Sequence, residues 1–196
     1  MLAIGAPGYS QDGVTYRGLV RVFRFSGSSW SSPANIVGTA TDYDQFGYSV
    51  DLSSDGNVLA VGVKGYDQDG VENRGLVRVF RFGEGSWSSP TDLIGIAAYA
   101  EFGFSVALSS DGNVLAVGAP YYSQDGVKYW GLVRVFRFSG SSWSSPTDFV
   151  GVESIDTSYG FSIALSSDGN VLAVGAPGND KDCLANRGLV QVLRFT

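Results

Sequence analysis

The apolar positions of this chain fall into short runs separated by turn residues. From Phe46, FGYSVDLS places Val50 and Leu52 on one face and ends in Ser53-Ser54-Asp55-Gly56-Asn57, where Asp-Gly supplies the positive φ angles of a tight hairpin. The next run, NVLAVG, is apolar on both faces, the pattern of a strand sandwiched between neighbouring sheets. A ten-residue loop, GYDQDGVENR, leads to GLVRVFRF, and four residues further on comes WSSPTDLIG. Each run has strand length and strand chemistry and is bounded by Gly, Pro, Asp or Ser, so the pattern predicts four strands.

The same pattern returns 56 residues later at Phe102 and 57 residues after that at Tyr159. The segment before Phe46 aligns as a copy without its opening, and the segment from Tyr159 as a copy that stops at Thr196. The repeats are therefore 1–45, 46–101, 102–158 and 159–196, two whole and two partial. A period of this length, filled with strand chemistry, indicates blades that must stack on one another to bury their faces. The expectation is one all-β domain over 1–196, a β-propeller-like array of four-stranded antiparallel blades. It has about fourteen strands, in blades of three, four, four and three, and essentially no helix.

Within a blade, Pro33, Pro90 and Pro146 fall inside the fourth run and remove a ladder donor, which assigns that strand to the outer edge. The strands then run from axis to rim in sequence order.

Composition narrows the function. The 196 residues are 44% hydrophobic and 16% charged, enough for a sizeable core. The net charge is −6 with basic residues spaced singly, so no phosphate-tracking surface is present and nucleic acid is not an expected partner. No stretch reaches the roughly 20 apolar residues of a membrane span. With no His, Ser-His-Asp and Cys-His arrangements are excluded, and so are most zinc sites. The lone Cys183 stands where the other copies have Gly13, Gly70 and Gly126, with no base at hand, and is read as an incidental thiol.

Phe102-Gly103 followed by Gly118-Ala119-Pro120 resembles the signature of the FG-GAP repeat, known from the propellers of integrin α subunits and from microbial repeat proteins. Related pieces recur as Gly5-Ala6-Pro7, as Phe46-Gly47 with Gly62-Val63-Lys64, and as Tyr159-Gly160 with Gly175-Ala176-Pro177. The resemblance implies a non-catalytic, adhesion-type module on the cell surface or outside the cell, with its ligand-facing side on the loops between strands two and three and between blades. The calcium-binding repeats of this family resemble D-x-D-x-D-G-x-x-D between the first and second strands. Here that loop is only S-S-D-G-N, too few oxygens for a hard cation, so Asp55, Asp111 and Asp168 are read as turn residues. No cofactor is expected, with calcium left possible elsewhere.

The strand 2–3 loops GYSQDGVTYR, GYDQDGVENR, YYSQDGVKYW and GNDKDCLANR differ between copies and share one rim with the inter-blade connections. They supply the candidate ligand-binding residues Tyr9, Tyr16, Tyr66, Tyr121, Tyr122, Tyr129 and Trp130, rigid aromatics beside acidic acceptors that suit a protein or a glycan. In the competing reading these rings only cover the blade tops. Asp67, Asp69 and Glu72, and separately Asp180 and Asp182, are candidate cation ligands if neighbouring loops add oxygens. Arg21, Arg78 and Arg134 sit among apolar residues of the third strands and are expected to pair with an Asp of an adjacent blade or to reach the sheet edge. Trp30, Trp87 and Trp143 open the fourth strands as packing residues. Two other classes remain open: a structural repeat spacer, and a carbohydrate-active enzyme using paired carboxylates. Because the first copy lacks its innermost strand and the last its outermost, self-association or membership of a longer chain is also expected.

Overall fold

The computed structural model of the chain describes residues 1–39, 41–124, 127–151, 157–178 and 187–195. Those residues form fifteen strands and no helix, and hence no helix long and apolar enough to cross a membrane.

They make four antiparallel sheets. The first holds β1 (Leu2–Ala6), β2 (Leu19–Phe23) and β3 (Ala34–Val37). The second holds β4 (Val50–Leu52), β5 (Val58–Val63), β6 (Leu76–Gly83), the two-residue β7 (Ser86–Trp87) and β8 (Thr91–Ile94). The third holds β9 (Ser105–Leu108), β10 (Val114–Ala119), β11 (Leu132–Arg137) and β12 (Thr147–Val150). The fourth holds β13 (Ser162–Leu165), β14 (Val171–Ala176) and β15 (Leu189–Arg194). Apart from β7, a ribbon on the end of β6, the strands number three, four, four and three, each sheet ordered along the sequence.

Registers assign the faces. Leu59 opposes Phe80, Val61 opposes Arg78 and Val63 opposes Leu76, so these six share one face of the second sheet. Ala60 and Val79 take the other. The first face packs against Val20 and Val22 of the first sheet. The second packs against Leu115 and Val117 of the third sheet. A further core joins Val133 and Val135 of the third sheet to Leu172 and Val174 of the fourth. Apolar residues on both faces of the NVLAVG strand thus serve two cores at once, and the four sheets form a row with three cores between them. The described residues do not close this row: the outer faces of the first and fourth sheets expose Leu2 and Ile4, and Val190 and Val192.

The paired glycines of the motif set the spacing of the row. The Gly103 N–H donates to Gly118 O within one repeat, as Gly47 does to Gly62 and Gly160 to Gly175. Gly47, Gly103 and Gly160 hold φ between 85° and 90°, a conformation open mainly to glycine. A Cβ on Gly62 would lie 2.0 Å from Gly103 O of the next sheet, and one on Gly118 would lie 2.1 Å from Gly160 O. Ser49 Oγ and Ser105 Oγ donate to those same carbonyls at 2.8 Å.

Three expectations are corrected. Pro33, Pro90 and Pro146 immediately precede β3, β8 and β12 instead of lying inside them; the edge position of those strands in their sheets stands. Trp30, Trp87 and Trp143 do not open the fourth strands either. They sit across a tight hairpin from Phe25, Phe82 and Phe138, with ring centroids 5.2–5.4 Å apart. Arg78 and Arg134 pair within their own sheet, with Asp92 at 3.1 Å and Asp148 at 2.9 Å, each directly opposite on the neighbouring strand. A cross-strand Asp is the nearest carboxylate to an Arg in a register fixed by the hairpins, so no reach to another sheet is needed. Arg21 opposes Asn35.

Candidate functional site

The two rims of the row are built differently. On the Asp-Gly rim each copy repeats one network. Asp55 Oδ1 accepts from Ser53 Oγ and from the Asn57 N–H, and Asp111 and Asp168 do the same with Ser109 and Asn113 and with Ser166 and Asn170. The Ser hydroxyl first, and then the backbone N–H, hold all three carboxyls below their ordinary range. Successive turns are tied by the Ser54 N–H to Ser110 O and by the Ser110 N–H to Ser167 O, both 2.9 Å. These aspartates are turn residues.

The opposite rim joins each strand 2–3 loop to the following connection. The Tyr43 N–H donates to Thr15 O, Tyr99 to Glu72 O and Ser158 to Tyr129 O. Tyr16, Asn73 and Tyr129 each hold a left-handed φ of 45–50°, with the backbone N–H capped by Ser10, Asp67 and Ser123 in turn. Asp67 therefore takes the place of a serine in a loop cap, 2.6 Å from the Asn73 N–H. Asp69 lies in an exposed turn at φ 53°, and Glu72 accepts from the Tyr99 hydroxyl, which pushes the Tyr99 phenol up. These three candidate cation ligands are not brought together, and among the described residues no three His, Cys, Asp or Glu side chains form a metal-holding group. Asp180 and Asp182, like Cys183, lie outside the described residues.

The seven candidate aromatics divide. Tyr66 and Tyr122 are partly buried against the first and second inter-sheet cores. Trp130 is half-buried where the other copies have Arg17, Arg74 and Arg187; its carbonyl accepts from Thr157 Oγ1 and its indole N–H has no partner. Tyr9 donates to Gln11, and Tyr16 stacks on Tyr43 at 5.5 Å. Tyr121 and Tyr129 join a larger assembly that the loop sequences alone did not single out.

That assembly centres on the residues that follow Phe46-Gly47, Phe102-Gly103 and Tyr159-Gly160: Tyr48, Phe104 and Phe161. Phe104 lies 5.0 Å from Tyr48 and 4.8 Å from Phe161, so the three rings make a continuous row across three sheets. Tyr121 meets Phe104 edge-on at 5.9 Å and Tyr129 at 5.6 Å. Lys64 places its ammonium 4.6 Å from the Tyr48 ring centroid and pairs with Glu101 at 2.9 Å. Burial, and secondarily the Glu101 charge, pushes the Tyr121 phenol up. Two signals for this group were present in the sequence: an aromatic after the Phe-Gly or Tyr-Gly that opens each of these three repeats, and Lys64 in place of the Pro that closes the other motifs.

Two further carboxyls are unusual. Asp44 is fully buried where the next copies place Ala100 and Thr157; Thr39 donates to its Oδ2, its Oδ1 has no partner, and burial raises its pKa. Asp51 Oδ2 accepts from the Leu108 N–H at 2.7 Å, stitching β4 to β9, and burial again raises its pKa. Compared with known proteins, the chain matches no family model and no curated protein.

Proposed function

We propose that this chain is an FG-GAP-type β-propeller module that binds a protein or glycan, without catalysis, through the rim carrying Tyr48, Phe104, Phe161, Tyr121 and Tyr129. The observation that supports this reading is the unbroken aromatic row on a rim whose loops differ between copies, opposite a rim that repeats one network. Ring faces and edges fixed by rigid sheets offer apolar contact at little entropic cost, and the flanking Lys64–Glu101 pair adds polar selectivity. The paired glycines, with their close inter-sheet approach, give the FG-GAP resemblance a physical role. Display on the cell surface or outside the cell follows from that resemblance.

The test replaces Tyr48, Tyr129 and Phe161 by Ala together, because these rings are exposed and their loss leaves the cores intact. A glycan array and a displayed-peptide library are probed with both forms. Binding by the parent chain that disappears in the triple variant, with an unchanged β-sheet circular dichroism spectrum, supports the reading. Binding that survives the triple change overturns the site. No binding by the parent favours a structural spacer, and turnover of a polysaccharide favours an enzyme.

A further inference from the structure

The face that the fourth sheet leaves open and the face that the first sheet leaves open carry the residue patterns of the two sides of an interface that the chain builds three times. Val190 and Val192 occupy the places of Val133 and Val135, of Val77 and Val79, and of Val20 and Val22; those six are buried against the next sheet, whereas Val190 and Val192 are 69% and 66% exposed. Leu2 and Ile4 occupy the places of Leu59 and Val61, of Leu115 and Val117, and of Leu172 and Val174, all fully buried against the preceding sheet; Leu2 and Ile4 are 42% and 47% exposed.

The polar edge of the interface matches as well. Arg24 lies 4.0 Å over the Phe82 ring of the next sheet, Arg81 lies 3.8 Å over Phe138, and Arg137 lies 5.7 Å over Phe195. Arg194 is the next member of that series and stands exposed on the fourth sheet. Phe25 and Trp30 form the corresponding aromatic pair on the first sheet, more than half exposed and, among the described residues, with no Arg above them. The apolar residues and the Arg–aromatic step therefore call for the same partner in the same orientation.

We propose that the fourth sheet of one chain docks head to tail on the first sheet of a second copy, continuing the inter-sheet core and placing Arg194 over Phe25 and Trp30 of that copy. Such a contact is heterologous, so it closes into a ring or extends into a filament according to the rotation per copy. The first sheet contains β1 to β3 only, so the contact forms between the second and third strands of the repeat, where the valines and the Arg lie.

Light scattering on the size-separated chain over a range of concentrations is expected to show mass rising in multiples of one chain. Ile4→Glu and Val192→Glu each block one face at an exposed position and are expected to leave monomers with an unchanged circular dichroism spectrum. Mixed in equal amounts they are expected to give a 1:1 dimer and nothing larger, because each supplies the face that the other lacks. Arg194→Ala is expected to weaken association about two- to fivefold. A parent chain that stays monomeric at every concentration, as it would if only a different repeat can cover these faces, overturns the proposal. So does association that persists in both single variants, and so does a failure of the mixture to form the dimer.

Discussion

Leu59 and Leu2 hold the same place in two copies of one strand, LAVG and LAIG, yet Leu59 is 0% exposed and Leu2 is 42% exposed. The difference lies in what stands beside them. The second and third sheets have a neighbour on each side, and the outer faces of the first and fourth sheets have none among the described residues. Burial in this architecture belongs to the interface between repeats more than to the strand. One sequence is therefore shaped for two neighbours at once, and equivalent substitutions in inner and end sheets should differ in cost.

The largest expected effect is on side-chain truncation. Leu115→Ala removes a fully buried side chain from the core between the second and third sheets and should cost about 2–5 kcal/mol in urea denaturation. Leu2→Ala, at the same place in the repeat, should cost no more than about 1 kcal/mol when both changes are made in the monomeric Val192→Glu chain, where no second copy covers the first sheet. Equal losses in that monomeric chain would break the comparison, because they would mean that the chain itself covers the open face of its first sheet.

The glycines sharpen the same contrast at a smaller scale. An alanine at Gly118 must push Gly160 O of the fourth sheet away from 2.1 Å, and overpacking of this kind costs about 1–3 kcal/mol. At Gly175 a Cβ would meet only Ser162 Oγ within 3 Å, the far end of an exposed side chain that can rotate. The midpoint of Gly118→Ala should fall clearly, and that of Gly175→Ala should barely move.

Much of this was legible in the sequence. The strand count apart from the short β7, the strand order, the edge position of the fourth strand and the turn role of Asp55, Asp111 and Asp168 follow from period, turn chemistry and apolar patterning, all of which act locally. What escaped was set across strands and across repeats. The Arg78–Asp92 pair depends on a register fixed by the whole sheet, and the Phe–Trp ribbons depend on how Ser-rich linkers fold back. The aromatic row joins residues more than 50 positions apart, Tyr48 to Phe104 to Phe161, whose meeting depends on sheet spacing. Tyr66 and Tyr122, by contrast, lie in variable loops but turn inward, which loop position alone does not reveal.

The smallest effect concerns the ring that opens each repeat. Phe46 and Phe102 meet Phe80 and Phe136 edge-on within the second and third sheets, each at 6.3 Å. In the fourth copy the corresponding residue is Tyr159, buried, with its hydroxyl donating to Gln191 Oε1 at 2.6 Å; Gln191 stands where Arg78 and Arg134 stand in the inner sheets. An Arg there could not accept that proton, so the two exchanges fit one another. Burial pushes the Tyr159 phenol up to about 12. In the unfolded chain a tyrosine ionises near ~10, so as pH rises the unfolded state loses this proton first and gains stability relative to the fold. The contribution of Tyr159 is therefore whole below pH ~10 and is lost as pH climbs towards the folded value. Tyr159→Phe should cost about 0.5–1.5 kcal/mol at neutral pH, for the hydrogen bond and the stranded Gln191, and should flatten the alkaline fall in the denaturation midpoint. Phe102→Tyr, on the inner sheet, should behave in the opposite way, adding an alkaline step because its hydroxyl enters a buried site where Arg134 is already paired with Asp148. Identical alkaline profiles for the parent chain and Tyr159→Phe would show that this phenol is not held in its protonated form by the fold.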